Sequence, residues 1–493
     1  MNHIKTLGEL KKLGYQSKTI KEELRTNLVE KLKSGQSVFE GIIGFEDTVL
    51  PDIERAILSR HNILFLGLRG QAKTRIARQM VDLLDEYIPI IAGSDLNDDP
   101  LNPITRFGID MIAEKGDHAP IDWIHRSERY VEKLATPDVS VADLIGDVDP
   151  IKAASLKLPY SDERVIHFGL IPRSHRSIFV INEIPDLQAR IQVSLFNILQ
   201  EGDIQIRGFK MRLPLDIQFV FTANPEDYTN RGSIITPLKD RIESQILTHY
   251  PKTIDDAKTI TAQEALIAPE QSANIQVPEL LRNLLEEISF EARESEFVDE
   301  KSGVSARMSI SGYENLYSTA ERRQLLNGEE KTIARITDFW GVIPAITGKV
   351  ELVYEGEQEG PYGVALKLLG NAIKSLFLSV FPHPEKIKRG REKDPYGVIK
   401  AYFSGANSLE LENDTSDLNY AESLNAVPGL DDLLDRYNIA QHERLTYKEF
   451  IMHAMSEFDV ISKEVLQGKI TFNDPLADML DDMEDEDDDE WNG

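Results

Sequence analysis

The sequence predicts an α/β protein. It has a phosphate-loop αβα core on a parallel sheet, then a helical lid, then a C-terminal extension ending in an acidic disordered tail. Three observations carry this reading. An apolar run, Ile63 to Leu66, passes into a loop with Gly67 and Gly70 and then into a helical pattern through Ile76, Ala77 and Met80. Two further apolar runs, over residues 177–183 and 216–224, read as buried strands that end on polar side chains. Residues 478–490 carry Asp and Glu with no Lys or Arg, a composition that cannot bury enough apolar area to order itself.

The bulk numbers set the frame. A chain of 493 residues exceeds one ordinary core, so several domains are expected. The reading divides it into an N-terminal helical lead (1–40), a nucleotide-binding core (41–250), a helical lid and extension (251–380), a C-terminal extension (381–477) and the tail (478–493). Hydrophobic residues at 41% and charged residues at 28% fit a globular protein. The net charge of −29 argues against nucleic acid as a partner of the whole surface. The absence of cysteine excludes disulfides and thiolate metal sites and fits a cytoplasmic protein. The first residues hold no apolar signal-peptide core, and no run of about 18 apolar residues suggests a membrane span.

Taken in order, the lead places Leu24, Leu28 and Leu32 on roughly one helical face. Residues 41–60 begin Gly41-Ile42-Ile43-Gly44 and run into a helix with Val49, Ile53, Ala56 and Ile57. Ile42 and Ile43 either line an adenine pocket or belong to a plain connecting turn. The loop itself reads Gly67-Leu68-Arg69-Gly70-Gln71-Ala72-Lys73-Thr74. Backbone N–H groups at such a loop and helix start converge on one spot and favour an anion. Lys73 can reach the β- and γ-phosphates of ATP, and the Thr74 hydroxyl can ligate Mg²⁺. Ala72 stands where the strict motif has glycine. Its methyl is compatible with the helical conformation expected there.

Residues 81–176 are mixed, with acidic clusters that read as solvated loops and helix caps rather than cation sites. The strand over 177–183 ends in Asn182 and Glu183. After a phosphate loop, the first of two such residues holds a Mg²⁺-bound water and the second is the general base. Asn182 keeps a carbonyl oxygen but brings no negative charge, which bears on hydrolysis rate rather than on binding. A helix is expected over 187–201, then a β-hairpin over 204–213 with Arg207, Lys210 and Arg212 near its tip. The third strand ends at Asn224, placed to hold the attacking water or sense the γ-phosphate. Arg241 follows a helical turn and could reach a neighbouring subunit's nucleotide, with Arg231 a second candidate. Arg307, at a helix start, could close onto the γ-phosphate from the lid. Residues 382–397, with Lys386, Lys388, Arg389, Arg391 and Lys393, read as a basic linker.

With Lys73, Asn182-Glu183, Asn224, Arg241 and Arg307 in this order, the chain resembles the AAA+ ATPases, and within them the MoxR and magnesium-chelatase ATPase-subunit group. The resemblance rests on the loop from Gly67 to Thr74, on His167-Phe168-Gly169-Leu170-Ile171-Pro172-Arg173-Ser174-His175-Arg176, on Thr222-Ala223-Asn224-Pro225-Glu226 and on Leu238-Lys239-Asp240-Arg241. It covers roughly residues 41–325. It implies a Mg²⁺-dependent ATPase in a homo-hexameric ring, working with a partner that carries a von Willebrand factor A domain. The implied output is remodelling or loading of a partner protein. Two rival readings stand beside it: a slow-hydrolysing, ATP-dependent regulatory binding module, and a magnesium chelatase motor subunit that drives metal into a tetrapyrrole.

Overall fold

The structure, a computed structural model, describes residues 4–159, 162–204, 206, 212–225, 233–386, 394–466 and 468–475. These form two compact units, 1–250 and 251–493.

The first unit is built on five parallel strands: β1 (Ile63–Leu66), β2 (Tyr130–Leu134), β3 (Ser177–Asn182), β4 (Ile217–Ala223) and β5 (Ser244–Leu247). Their spatial order is β5-β1-β4-β3-β2. β1, β3 and β4 are buried along their whole length. That is what a central parallel strand covered on both faces requires, and it is why the three read as unbroken apolar runs. Register places Ile63 beside Val220, Phe179 beside Phe219, and Val180 beside Glu132. Alternation along the strands then builds two cores. One face carries Ile63, Phe65, Ile178, Val180 and Val220, which pack with Ile76 and Ala77 of the helix after the loop. The other carries Leu64, Leu66, Phe179, Ile181, Phe219 and Phe221.

Helix α1 (Ile20–Ser34) is capped by Thr19 and closed by Gly35 in the left-handed region. It buries Ile20, Leu24 and Leu28 in the first core, together with Val49, Ile53, Ala56 and Ile57 of α2 (Val49–Leu58). Leu32, expected on the same face, is exposed, because the apolar stripe ends one turn earlier. The helix expected over 187–201 is two short ones, Ala189–Ser194 and Phe196–Glu201. Of the expected hairpin over 204–213, the described part is its base, where Ile204 pairs with Leu213. Its tip, including Arg207 and Lys210, lies outside the described residues.

The second unit is helical around one core. In the first unit the helix after the loop is α3 (Lys73–Gln79); the long helices of the second are α4 (Glu279–Glu294), α5 (Arg307–Asn327), α6 (Pro361–Val380) and α7 (Arg444–Glu457). α6 is long and apolar enough to cross a membrane by composition, with a mean hydropathy of 1.4 over its best window. Val364, Ala365, Leu368, Ala372, Ile373 and Phe377 on it are buried against this unit's core, the behaviour of a core helix. A three-stranded antiparallel sheet closes the unit, β6 (Leu409–Glu412), β7 (Ser462–Leu466) and β8 (Lys469–Asn473), in the order β6-β8-β7. Most of the basic linker (387–393) and the whole acidic tail (478–493) lie outside the described residues.

Candidate active site

Because the five strands are parallel, their C-terminal ends share one edge, and the sequence-predicted residues fall along it. β1 runs out at Leu66 into Gly67, β3 ends in Asn182 with Glu183 next, and β4 is followed by Asn224. The Lys73 ammonium donates to the Gly67 carbonyl, to the Leu68 carbonyl at 2.8 Å and to Asn224 Oδ1 at 2.9 Å. Two residues 151 positions apart in sequence are therefore in direct contact at the loop.

The loop is held from below. Buried Gln71 accepts a hydrogen bond from Thr248 Oγ1 at 2.7 Å, and Thr248 follows β5. A Cβ at position 67 would run into both of those side chains, so only glycine fits there. Gly70 has φ 76° and Ala72 has φ 55°, ψ 9°. The left-handed conformation of Ala72 corrects the helical one expected from sequence. Position 72 sits just before α3 starts, and the chain must reverse its hand there to bring N–H groups inward. Such a loop forms an anion-binding concavity.

Glu183 is half-buried and also left-handed, with φ 55° and ψ 50°. A non-glycine residue held there costs on the order of 1 kcal/mol, and such strain clusters at functional positions. Its N–H donates to Thr222 Oγ1 at 3.1 Å, and that hydroxyl donates to Asn182 Oδ1 at 3.1 Å. The Asn182 NH₂ group donates to Glu132 Oε1 at 2.6 Å. Glu132, Thr222 and Thr248 were not legible as site residues, although Thr222 lies in the Thr-Ala-Asn run that ends the third strand.

Other predicted residues stand as follows. Ile42 is buried in the same core as Ile76 and Ala77 of α3, and Ile43 is half-buried beside it. Gln79 of α3 donates to the Glu40 carbonyl at 2.7 Å, so this segment packs along the loop helix. Arg241 is half-buried. Its guanidinium donates to Gln200 Oε1 at 2.9 and 3.1 Å and to the Pro237 carbonyl at 2.7 Å, and it lies 4.8 Å over the Phe196 ring. Arg307 is the exposed first residue of α5 in the second unit. Arg231 lies outside the described residues. Within the acidic cluster at 94–99, Asp95 is exposed, whereas Asp98 is buried and accepts from Ser94, from the N–H groups of Ile104 and Thr105, and from the Thr105 hydroxyl.

These residues fit ATP and Mg²⁺. Lys73 has three donors, and the Gly67, Leu68 and Asn224 oxygens it meets are neutral ones that phosphate oxygens would outcompete. Thr74 offers a hydroxyl at the first turn of α3, and Asn182 Oδ1 retains one lone pair after Thr222 is served.

The fold and this strand edge define a P-loop αβα core on a parallel sheet, followed in sequence by a helical region. Comparison with known proteins places residues 160–246 in a match to the Sigma-54 interaction domain. A 167-residue stretch is 28% identical to the archaeal Lon protease of Thermococcus kodakarensis, covering 30% of this chain and 25% of that protein, so the chain spans a quarter of its length. Among solved structures, the chain is similar to NtrX from Brucella abortus in complex with ATP, at 14% identity and a TM-score of 0.35 over 59% of this chain and 53% of that one. It is also similar to a model of the complex between the magnesium chelatase subunits BchI and BchD, at 19% identity and a TM-score of 0.33 over 65% and 98%.

Proposed function

We propose that the chain hydrolyses ATP with Mg²⁺ at this edge and uses the energy to remodel or load a partner protein, in the manner of MoxR-like or magnesium-chelatase-subunit ATPases. The contact of Lys73 with Asn224 across the loop carries the reading. A site for the far end of a triphosphate uses the loop lysine and the amide that ends β4 together, which supports this reading. Lys73 and the loop residues Gly67, Gly70, Gln71 and Ala72 hold the phosphates, Thr74 and Asn182 serve the metal, Glu183 takes the proton of the attacking water, and Asn224 orients that water. Bound ATP supplies the phosphoanhydride that is cleaved. Arg241, already oriented by Gln200, serves a neighbouring subunit's nucleotide in a hexameric ring, and Arg307 acts from the lid. A von Willebrand factor A domain protein is the partner such a ring would work with.

One observation favours the second reading, a slow regulator that holds ATP. The Asn182 oxygen is already engaged by Thr222, and the residue brings no charge to the metal. Steady-state phosphate release separates the two. Lys73→Ala tests both, because it removes the ammonium that neutralises the β- and γ-phosphates. Nucleotide titration is expected to show affinity lowered on the order of 100-fold, about 3 kcal/mol. Unchanged affinity would remove the loop from the site. Light scattering with and without ATP tests the ring, and a strict monomer in both conditions would end the trans role of Arg241.

A further inference from the structure

The polar row at the ends of β2, β3 and β4 lies on the sheet face covered by α3. Asn182 and Thr222 alternate in phase with Ile178, Val180 and Val220, which pack against Ile76 and Ala77, and Tyr130 of β2 joins the same face. Arg78 of α3 donates to Glu132 Oε2 through Nε at 3.0 Å and lies within 2.9 Å through Nη2. The Tyr130 hydroxyl donates to that same oxygen at 3.1 Å. The second oxygen, Oε1, accepts from the Asn182 amide at 2.6 Å, and the row continues through Thr222 Oγ1 to the Glu183 N–H.

This row has one possible direction. A carboxylate can only accept, so Glu132 fixes which end of the Asn182 amide faces it. Turning the amide over would set its oxygen against the acceptor-only Glu132 carboxylate. Thr74 and Arg78 are four residues apart on α3 and share a face, so the row runs one helical turn from the hydroxyl proposed for the metal.

We propose that Glu132 is the positioning residue of the hydrolytic site, and that position 182 is an amide because Glu132 is there. The carboxylate that such a strand end ordinarily carries stands one strand over, paired with Arg78. It holds the Asn182 oxygen toward Thr222, and through Thr222 it supports the strained backbone of Glu183. This deepens the ATPase reading and rests on it for its catalytic part. This pairing holds for the protein without nucleotide. A carboxylate at position 182 would set two acceptor oxygens against each other within about 3 Å, with the Arg78 guanidinium on the other oxygen of Glu132 rather than between them.

The test is a charge exchange in the full-length protein, comparing N182D, E132Q and E132Q/N182D with the parent. The first readout is thermal melting without nucleotide. N182D is expected to melt roughly 2–4 °C below the parent at about pH 8. In E132Q/N182D the two groups trade roles: the amide now on β2 can donate to the carboxylate now ending β3. Melting is then expected to return to within about 1 °C of the parent. The second readout is phosphate release: N182D is expected to lose on the order of 10-fold in kcat with KM for ATP within about twofold, and the double variant to recover most of it. N182D melting like the parent, or a double variant no better than N182D, would overturn the proposal. A parent that releases no phosphate while the melting pattern holds would defeat the ATPase reading and leave the Glu132–Asn182 pairing standing.

Discussion

The two edges of the five-stranded sheet are made from the same residue types and put to opposite uses. At the N-terminal edge, each strand is led in by a polar residue whose partners lie inside the fold. Asn62, before β1, gives its N–H to Glu243, before β5, at 2.9 Å and receives the Phe219 N–H at 3.2 Å. Arg129, before β2, makes two bonds of 2.7 and 2.6 Å to Glu23 of α1, and both side chains are fully buried. Arg176, before β3, reaches the Pro89 carbonyl at 2.8 Å. Asp216, before β4, takes the Ile20 N–H at 2.8 Å and gives its own N–H to His175 at 3.0 Å. At the C-terminal edge, the backbone is left-handed at Ala72 and Glu183, and Lys73 sits on oxygens that a ligand can displace. A satisfied buried network rigidifies a fold, whereas strain and exchangeable bonds mark the place where binding does work. One edge clamps α1 onto the sheet, and the other is held ready.

The comparison breaks if changes at the two edges have the same kind of effect. The largest effect is expected from Glu183→Gln, which keeps the shape and removes the base. Single-turnover hydrolysis should fall 10²–10⁴-fold, roughly 3–5 kcal/mol in the barrier, while melting moves by no more than about 2 °C. Hydrolysis at the parent rate would dismiss Glu183 as the base. Arg129→Met is the converse. It strands a buried Glu23 carboxylate and should cost about 3–5 kcal/mol in urea denaturation, with ATP affinity retained in the folded fraction. Replacing both partners with apolar residues should recover most of that loss, because the desolvation of both charges disappears with them. If Arg129→Met alone leaves stability intact, the clamp is not what holds the lead.

Between these lies a pH effect confined to the N-terminal edge. Burial pushes the Asp216 carboxyl up to about 6, and the Ile20 N–H and the nearby Arg176 and Arg129 guanidinium groups pull it back only in part. Burial, with Arg176 alongside, holds His175 down at about 4. The signs oppose each other. A carboxyl with a raised folded pKa contributes stability that is present below its unfolded value and lost as pH rises through about 6. An imidazole with a depressed folded pKa contributes stability that is present above its unfolded value and lost as pH falls toward about 4. In the parent the two slopes largely offset between these values. Asp216→Asn should therefore unmask the His175 slope, so that stability rises with pH by roughly 2–3 kcal/mol across that window. A stability profile as flat as the parent's would show that Asp216 is not desolvated by α1.

What the sequence disclosed follows from how each element is buried. β1, β3 and β4 were legible because central parallel strands must be apolar on both faces, and the loop was legible because its chemistry needs Lys73 and Thr74 at fixed spacing. β2 was not. It is an edge strand whose residues, Tyr130 to Leu134, are half-buried or exposed, so no apolar run announces it, and Glu132 went unseen with it. The Asn182 amide gives its NH₂ group to that carboxylate, a partner the sequence order does not announce. The Glu23–Arg129 pair joins residues 106 positions apart, and a lone Glu on a polar helix reads as solvent-facing until its partner is known. In the second unit, the strand Leu409–Glu412 alternates buried and exposed residues but is four residues long, too short to stand out from the helices around it.

The smallest expected effect concerns Ala72, and it sharpens the comparison at its most strained point. The residue stands immediately before α3 with φ 55°, and its methyl is partly buried against the first core. An alanine held left-handed costs about 1–2 kcal/mol relative to glycine. Glycine in turn adds unfolded-state freedom worth about 0.5–1 kcal/mol. Ala72→Gly should therefore be stabilising by a net on the order of 0.5 kcal/mol in urea denaturation, with ATP affinity changed by no more than about twofold. An ordinary right-handed residue at the same place would respond with the opposite sign, losing about 1 kcal/mol because glycine would then only add freedom to the unfolded chain. The sign alone decides: a loss would place Ala72 in the helix and leave Glu183 as the one strained residue among those proposed to serve ATP, while a gain would show that the loop tolerates strain to keep its N–H groups turned inward.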